Sequence, residues 1–561
     1  MRFRIALDTK DRFRWRKGSK AQLYGLNRLG AVGEIVIVEG ESDCHTLWHS
    51  GFPATGLPGN TTWNEARDAA LLAEIATICI VIEPGDSGKQ VMTWIAKSKI
   101  KDRVKLVRLD GFKDPSELYV DDPGRFAERW REALAAAVPW REEASREAHA
   151  ARNAAWSRCA ELARCPNVLA KVLEAVRACG LIGEERAVKL IYLAITSRLL
   201  ARIVSIAVKG PSSGGKSFLA EIILKLFPSE AFYVLTAMSE RALAYGEEPL
   251  AHRIMVLYEV AGMASDFGTY LVRSLLSENR ICYDTVEKTK DGLKSRRIER
   301  EGPTGLITTT TAVRLHPENE TRLLSLTVTD TPEQTKAIMR AQAGRQGHTN
   351  KPDLTPWHAL QRFLALGAAH VVIPYARALA DLIPAVAVRL RRDFPTVLAL
   401  IEAHALLHQA TRERNPEGAV MATFEDYSAV REIVIDFISQ GVDTTVPKIV
   451  RDAVTAISEL ATKAGCNGVS LTELAEKLGL DKSTTSRRAN DAIARGYLRN
   501  LEEKKGRPAR LVIGDPLPAD VEVLPTVATL RERCSVAVLQ EGIEPSPFPV
   551  GHDEEEKAWT L

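Results

Sequence analysis

Residues 203–217 read IVSIAVKGPSSGGKS, and residues 218–227 continue at once as FLAEIILKLF. A β-branched apolar run, a glycine-rich turn and an amphipathic segment in that order predict a buried strand, a loop and a helix. No other stretch constrains the chain as much. Gly210, Gly214 and Gly215 let backbone N–H groups close round the β- and γ-phosphates of a nucleotide. Lys216 supplies a point charge, Ser217 can hold Mg²⁺, and the helix N-terminus adds a favourable dipole. The alternative, a plain glycine-rich turn, lacks a reason for the strand before it and the helix after it.

At 561 residues the chain exceeds what one core supports, which predicts about three or four domains. The net charge of +3 is nearly balanced, so affinity for nucleic acid has to come from local patches. The eight cysteines are scattered, and the nearest pair, Cys159 and Cys165, has no second pair at zinc-ligand spacing. No apolar run approaches the roughly 20 residues that span a bilayer, and the first residues are too polar for a secretory signal. A cytoplasmic protein with no membrane partner is expected.

Residues 1–138 form the first expected domain. Its opening, MRFRIALDTKDRFRWRKGSK, interleaves basic and aromatic residues, which suits single-stranded nucleic acid and equally a strand pair with a solvated basic face. Three buried strands follow, each with acids at its end: Glu39, Glu41 and Asp43 after EIVIV, Glu83 and Asp86 after ATICIVI, Lys113 and Asp114 after VKLVRL. Carboxylates at the C-terminal ends of parallel strands are what Mg²⁺ binding needs. Solvated strand-end carboxylates are the other reading.

With its VEGESD, EPGDSG and KDPSEL segments this domain resembles the TOPRIM domain of primases and topoisomerases. The resemblance implies Glu39 as general acid/base, with Asp43, Glu83 and Asp86 near a metal. The chain departs from the family's Asp-x-Asp pattern: Glu83 stands first, Gly85 falls where the second acid belongs, and Asp86 is displaced by one residue, a shift that can turn a carboxylate away from an ion. Only about thirty residues precede the domain, too few for the upstream modules of complete primases, so a separate priming or replication protein is an expected partner.

Residues 139–200 read as a helical linker of ordinary amphipathic helices broken at Pro166 and Gly180–Gly183, and residues 201–330 as the nucleotide-binding core. In the core, HRIMVLYEV is a buried strand ending in Tyr258 and Glu259. Glu259 is placed to polarise water, and Tyr258 occupies the position of a metal-assisting acid. Two alternating strands then flank Lys288-Thr-Lys290-Asp291-Gly292, a hairpin signal, with Lys294, Arg296 and Arg297 on the return strand. GLITTTT follows as another strand.

This part resembles AAA+ ATPases of the minichromosome-maintenance kind and related viral and plasmid helicases. The resemblance implies ATP and Mg²⁺ as cofactors, a polar sensor at Thr309 or Thr310, an arginine finger at Arg322 completing a neighbour's site in a homo-hexameric ring, and a second sensor at Arg392 in a helical lid over residues 331–460. A surface arginine before a strand and one member of a solvated basic run are the alternatives for Arg322 and Arg392.

Residues 461–515 give a helix, a Gly-Leu-Asp turn, a second helix and a strand–turn–strand, and resemble a winged helix-turn-helix. Arg487 and Arg488 on the second helix, and Lys504, Lys505 and Arg507 in the turn, are the expected DNA contacts, joining Lys288 and Lys290. Residues 516–561 read as a flexible acidic tail. The expected fold class is therefore α/β multidomain: a TOPRIM-like domain, an AAA+ P-loop NTPase with helical lid, and a winged helix. The function implied is an ATP-dependent DNA helicase or translocase of the primase-helicase type. An ATP-switched replication initiator with little hydrolysis, and a TOPRIM-dependent nucleotidyl transferase or nuclease, are the alternatives.

Overall fold

The structure is a computed structural model and describes residues 2–4, 13–18, 21–28, 30, 32–236, 241–246, 248–258, 266–289, 292–311, 322–344, 352–385, 389–443, 446, 448–464, 468–502, 507–515, 517 and 523–541. The chain divides into two compact units, residues 1–153 and 154–561. The division falls within one helix, Trp140–Ala163, and not at the expected residue 138.

In the first unit, β1 (Arg2–Arg4) pairs antiparallel with β2 (Phe13–Trp15), the strand pair anticipated for the basic opening. Strands β3 (Glu34–Val38), β4 (Ala54–Gly56), β5 (Thr77–Val81), β6 (Val104–Val107) and β7 (Val138–Pro139) form one sheet in the order β4-β3-β5-β6-β7. All pairings are parallel except that of β6 with β7. Ile35, Ile37, Ile78 and Ile80 enter one hydrophobic cluster, while Val36, Val38, Cys79 and Val81 enter another. Alternate residues thus bury on opposite faces, which is why these strands read as unbroken apolar runs. With both faces covered, the strand ends remain for chemistry. There the chain enters helices α1 (Glu41–His49), α2 (Asp86–Lys97) and α3 (Pro115–Asp121).

The second unit holds a parallel five-stranded sheet of β8 (Ile206–Lys209), β9 (Phe232–Leu235), β10 (Arg253–Leu257), β13 (Thr304–Thr310) and β14 (Leu324–Thr327), in the order β14-β8-β13-β10-β9. Between β10 and β13 the chain passes through helix Asp266–Glu278 and a separate two-stranded ribbon, β11 (Arg280–Thr289) and β12 (Gly292–Glu301).

The helices of residues 139–200 and those beyond residue 331 pack with the sheet in one core. One hydrophobic cluster joins Val168–Ala178 and Glu185–Thr196 to sheet residues Ile206, Val208 and Ile254, to Leu390–Leu407 and to Phe424–Asp443. Helix Glu185–Thr196 is buried from Ala187 to Thr196 apart from Lys189, so it is a core helix and not the amphipathic surface helix its charged flanks suggest. The breaks predicted at Pro166 and at 180–183 are where these helices end.

The winged-helix region has its own core, with Val450, Ile457, Leu474, Ala492 and Leu511 among its members. Helices Leu471–Leu478 and Lys482–Ala494 meet at Gly479, whose φ of +64° ends the first, and strands Leu498–Asn500 and Leu511–Ile513 pair antiparallel. The expected flexible tail is corrected over residues 523–541. Helix Val527–Glu541 is anchored by buried Val523, Leu524 and Leu530, and Tyr427 Oη and Arg431 Nε donate to the carbonyls of Pro525 and Leu524. Among the described residues no helix is long and apolar enough to cross a membrane.

Candidate functional site

Strand β8 delivers the chain into the loop at Gly210, and the backbone turns through Gly210 (φ +156°), Ser213 (φ +65°) and Gly215 (φ +77°) before α4 (Lys216–Leu224) begins. Gly215 meets the left-handed cap without a Cβ penalty. Ser213 adopts positive φ despite its side chain, a conformation that costs on the order of 1–3 kcal/mol and clusters at functional sites. Lys216 is buried, and its Nζ donates to the carbonyls of Gly210 at 3.1 Å and Pro211 at 2.6 Å. The ammonium therefore stands at the loop's own rim, and Ser217 follows in the first turn of α4. These residues fit a triphosphate with its Mg²⁺.

On one flank of β8 lies β13, in parallel register with Thr309 opposite Val208 and Thr310 opposite Lys209. The Gly210 N–H donates to the Thr310 carbonyl at 3.3 Å, so the hydroxyl-bearing end of β13 abuts the loop, and both threonines are buried. Tyr258 follows β10. Burial, with Glu221 second, pushes its phenol up to about 12, so it stays a neutral hydrogen-bonding group at ordinary pH. Glu259 lies outside the described residues.

Arg322 stands just before β14, and its Nε donates to Ser277 Oγ at 2.7 Å at the end of helix Asp266–Glu278. Arg392 is exposed in the first turns of Leu390–Leu407. Arg389, at the start of that run, is half-buried and pairs with Asp393 at 3.0 Å.

The ribbon of β11 and β12 pairs ten residues from Arg280↔Glu301 to Thr289↔Gly292, a length of about 34 Å. Ile281 is buried at its root, and Arg300 donates there to the carbonyls of Leu243, Gly246 and Glu248. Towards the tip Val286 and Leu293 stand 63% and 74% exposed, so among the described residues little packs against the arm there. Lys288 and Lys294 are exposed on the arm, and Arg296 pairs with Glu287. Lys290 and Asp291, the expected turn, lie outside the described residues.

In the first unit, Asp43, Glu83 and Asp114 bring carboxylate oxygens within 4.8 Å of one another. Asp43 accepts from Ser116 Oγ at 2.6 Å, and burial raises its carboxyl above the usual range. Burial likewise raises Glu83, with Glu39 adding to it and Lys113 opposing. Lys113 Nζ lies 3.3 Å from Glu83 and 3.7 Å from Asp114. Glu39, at the end of β3, accepts from Ser87 Oγ at 2.6 Å.

Asp86 is not part of this group. Its side chain is 90% exposed and pairs with Lys89 at 2.9 Å, because Gly85, at φ +84°, turns the chain so that Asp86 opens α2 on its solvent side. Asp114, which caps α3 through the Glu117 N–H, occupies the third position instead. The signal was present in the KDPSEL segment. Three converging carboxylates suit a hard divalent cation, with Lys113 as an internal competitor.

In the winged helix, Ser470 and Glu473 form a capping box, and Asp481 caps the second helix through the Thr484 N–H at 2.9 Å. Arg487 is exposed, Arg488 half-buried and Arg507 exposed, while Lys504 and Lys505 lie outside the described residues.

Residues 460–502 match the family model of the IclR helix-turn-helix domain. No curated protein matches the chain. Among solved structures, a full-length MCM homolog from Methanopyrus kandleri is 15% identical over 51% of this chain and 61% of its own, with a TM-score of 0.34. This chain thus spans less than two thirds of that homolog. The Aeropyrum pernix ORC1 protein in complex with DNA is 15% identical over 69% and 98%, with a TM-score of 0.21. The RNA polymerase domain of Mycobacterium tuberculosis primase DnaG is 22% identical over 25% and 46%, with a TM-score of 0.19. None of the three superposes closely enough to assign a fold or a function.

Proposed function

We propose that the chain is an ATP-driven DNA motor, a helicase or translocase of the primase-helicase type that serves replication of a plasmid, phage or integrated element. The observation that carries this reading is a mechanical path. Strand β12 of the cationic arm runs through residues 302–303 directly into β13, and the far end of β13 bonds to the phosphate loop through Thr310 and Gly210. A change at the loop is thereby linked to the arm through β13 and the two residues that join it to β12.

In this reading Lys216 neutralises charge on the β- and γ-phosphates, Ser217 holds Mg²⁺ and Glu259 orients the attacking water. Thr309 and Thr310 report the γ-phosphate, Arg322 completes a neighbouring subunit's site in a hexameric ring, and Arg392 serves as the second sensor. Mg²⁺, when bound, supplies electrostatic stabilisation of the transferring phosphoryl. Lys288, Lys290 and Lys294 follow DNA phosphates, and the winged helix holds DNA through Arg487, Arg488, Lys504, Lys505 and Arg507.

The test is ATP turnover of the wild type, Lys216→Ala and Glu259→Gln, each with and without single-stranded DNA. DNA-stimulated turnover that vanishes in both variants is expected. Wild-type turnover in Lys216→Ala would refute the loop assignment.

Two observations favour other readings. Tyr258, neutral where an acid would assist the metal, favours an ATP-switched replication initiator; DNA binding and assembly that need ATP but no hydrolysis are its signature. The Asp43, Glu83 and Asp114 cluster favours a TOPRIM-like nucleotidyl transferase or nuclease, whose Mg²⁺-dependent product is lost in Glu39→Gln.

A further inference from the structure

Arg198 sits in the short turn Ser197–Leu199 that follows helix Glu185–Thr196, and it is only 3% exposed. Its Nη1 donates to the carbonyl of Ile195 at 3.2 Å and to Gln361 Oε1 at 2.8 Å. Gln361 is itself fully buried and is fixed by donating to Tyr192 Oη and Thr196 Oγ1. The Phe227 ring lies 5.6 Å from the guanidinium carbon. All these neighbours are neutral. A buried guanidinium whose hydrogen-bond partners are all neutral is costly, because burial penalises the charge and only Tyr192 and the more distant Glu230 offset part of that. Burial lowers Arg198 to about 10, which leaves it a cation at neutral pH.

Arg198 lines a cavity of about 300 Å³ together with Leu199, Glu230, Ala231, His252, Ala365 and Ala369. Glu230, the cavity's own carboxylate, favours the Arg198 charge from a distance but is bonded to Arg362 at 2.7 Å and makes no hydrogen bond to Arg198. His252 braces the wall: its backbone takes a φ of +57°, and its Nδ1 lies 2.8 Å from the Arg198 carbonyl oxygen. With Nη1 engaged, the Nε–Nη2 edge of the guanidinium remains, the edge that takes two oxygens of one oxyanion side by side.

The place of this cavity in the fold separates it from the nucleotide loop. Arg198 and Leu199 come before β8, Glu230 and Ala231 immediately precede β9, and His252 immediately precedes β10. In a parallel sheet residues that precede strands gather at one end, and the phosphate loop, which follows β8, lies at the other. The four residues of β8 alone put roughly 13 Å between the two ends.

We propose that this cavity is a second anion site, distinct from the nucleotide loop, in which Arg198 receives the phosphate or carboxylate group of a small ligand in bidentate fashion, with Leu199, Ala231, Ala365 and Ala369 taking the ligand's apolar part.

The test uses the full chain carrying Lys216→Ala, so that the nucleotide loop no longer offers its own phosphate-binding charge. Thermal unfolding is followed against increasing sodium phosphate, sodium acetate and sodium chloride at matched ionic strength and pH. A saturable rise in melting temperature with phosphate or acetate, beyond that with chloride, is expected, and whichever of the two acts identifies the group as phosphoryl or carboxylate. Adding Ala365→Leu fills the cavity from an exposed position and leaves the Arg198 network intact; the rise should be lost. Adding Arg198→Lys keeps the charge but removes the fork, and should weaken the response at least tenfold in concentration. No rise beyond chloride in the Lys216→Ala chain, or an equal rise after Ala365→Leu, overturns the proposal.

Discussion

Replacing Gly210 with alanine perturbs the phosphate loop at one atom. A Cβ there would lie 2.4 Å from Cγ2 of Val328, about 1 Å inside ordinary carbon–carbon contact. Val328 cannot turn aside readily: it is β-branched, buried and held by its own N–H to the Lys209 carbonyl at 2.9 Å. The loop backbone has to yield instead. That movement draws the Gly210 carbonyl away from Lys216 Nζ and the Gly210 N–H away from Thr310. The φ of +156° adds strain for any residue with a side chain, on the order of 1–3 kcal/mol. If binding must restore the original loop, that strain appears as ATP affinity weakened by roughly 5- to 150-fold, at about 1.4 kcal/mol per factor of ten. Titration of a fluorescent ATP analogue in the presence of Mg²⁺ measures it without hydrolysis, and circular dichroism checks that the fold is retained. The double variant Gly210→Ala with Val328→Ala removes the steric part and leaves the φ strain, so its affinity should fall between the two. Binding by Gly210→Ala within twofold of wild type would refute the reasoning, as would a double variant no better than the single one.

Asp426→Ala should destabilise the second unit by about 3–5 kcal/mol, read from urea unfolding, because the buried carboxylate bonds to His404, Arg412 and the Thr423 N–H and its loss leaves the Arg412 charge without its partner. Burial opposes the Asp426 charge, yet the bonds from His404 and Arg412 hold its pKa well below the usual carboxylate range. The stability difference from wild type is therefore full above about pH 4 and closes as pH falls further towards the folded pKa. Asp114→Asn should weaken Mg²⁺ binding by the first unit at least tenfold, whereas Asp86→Asn stays within twofold; isothermal titration separates the two. Since burial raises Asp43 and Glu83, protons compete with Mg²⁺ there, and affinity should climb as pH rises through and above the usual carboxylate range. Lys288→Ala and Lys294→Ala should each lower the slope of log affinity for DNA against log salt by about 0.7–0.9, a loss absent if the arm makes no phosphate contact. Leu530→Ala should cost about 2–5 kcal/mol if residues 523–541 are part of the core, and almost nothing if they are a tail.

Local features were legible from residue order because their causes are local. The strand, loop and helix around Lys216, the long hairpin announced by Asp291-Gly292, and the helix–turn–helix round Gly479 all follow from side-chain periodicity and turn chemistry within about 20 residues. The helices between 140 and 200 were placed at their Pro and Gly breaks, but their burial was misread. Glu185, Arg186 and Lys189 mark only a thin polar edge on a helix whose remaining faces meet the sheet and the later helices.

Apart from the helix Val527–Glu541, the sequence by itself indicated the main strands and helices, and that acids stand at the strand ends of the first unit. Tertiary structure alone decided which of those acids converge. Asp43 and Asp114 are 71 positions apart yet share a site, while Asp86, three positions from Glu83, faces solvent. The reason is geometric: a side chain's direction is set by the phase of the helix or turn that carries it, and one residue of displacement reverses it. Arg198 makes the same point, since only the packed fold reveals a buried cation whose hydrogen-bond partners are neutral.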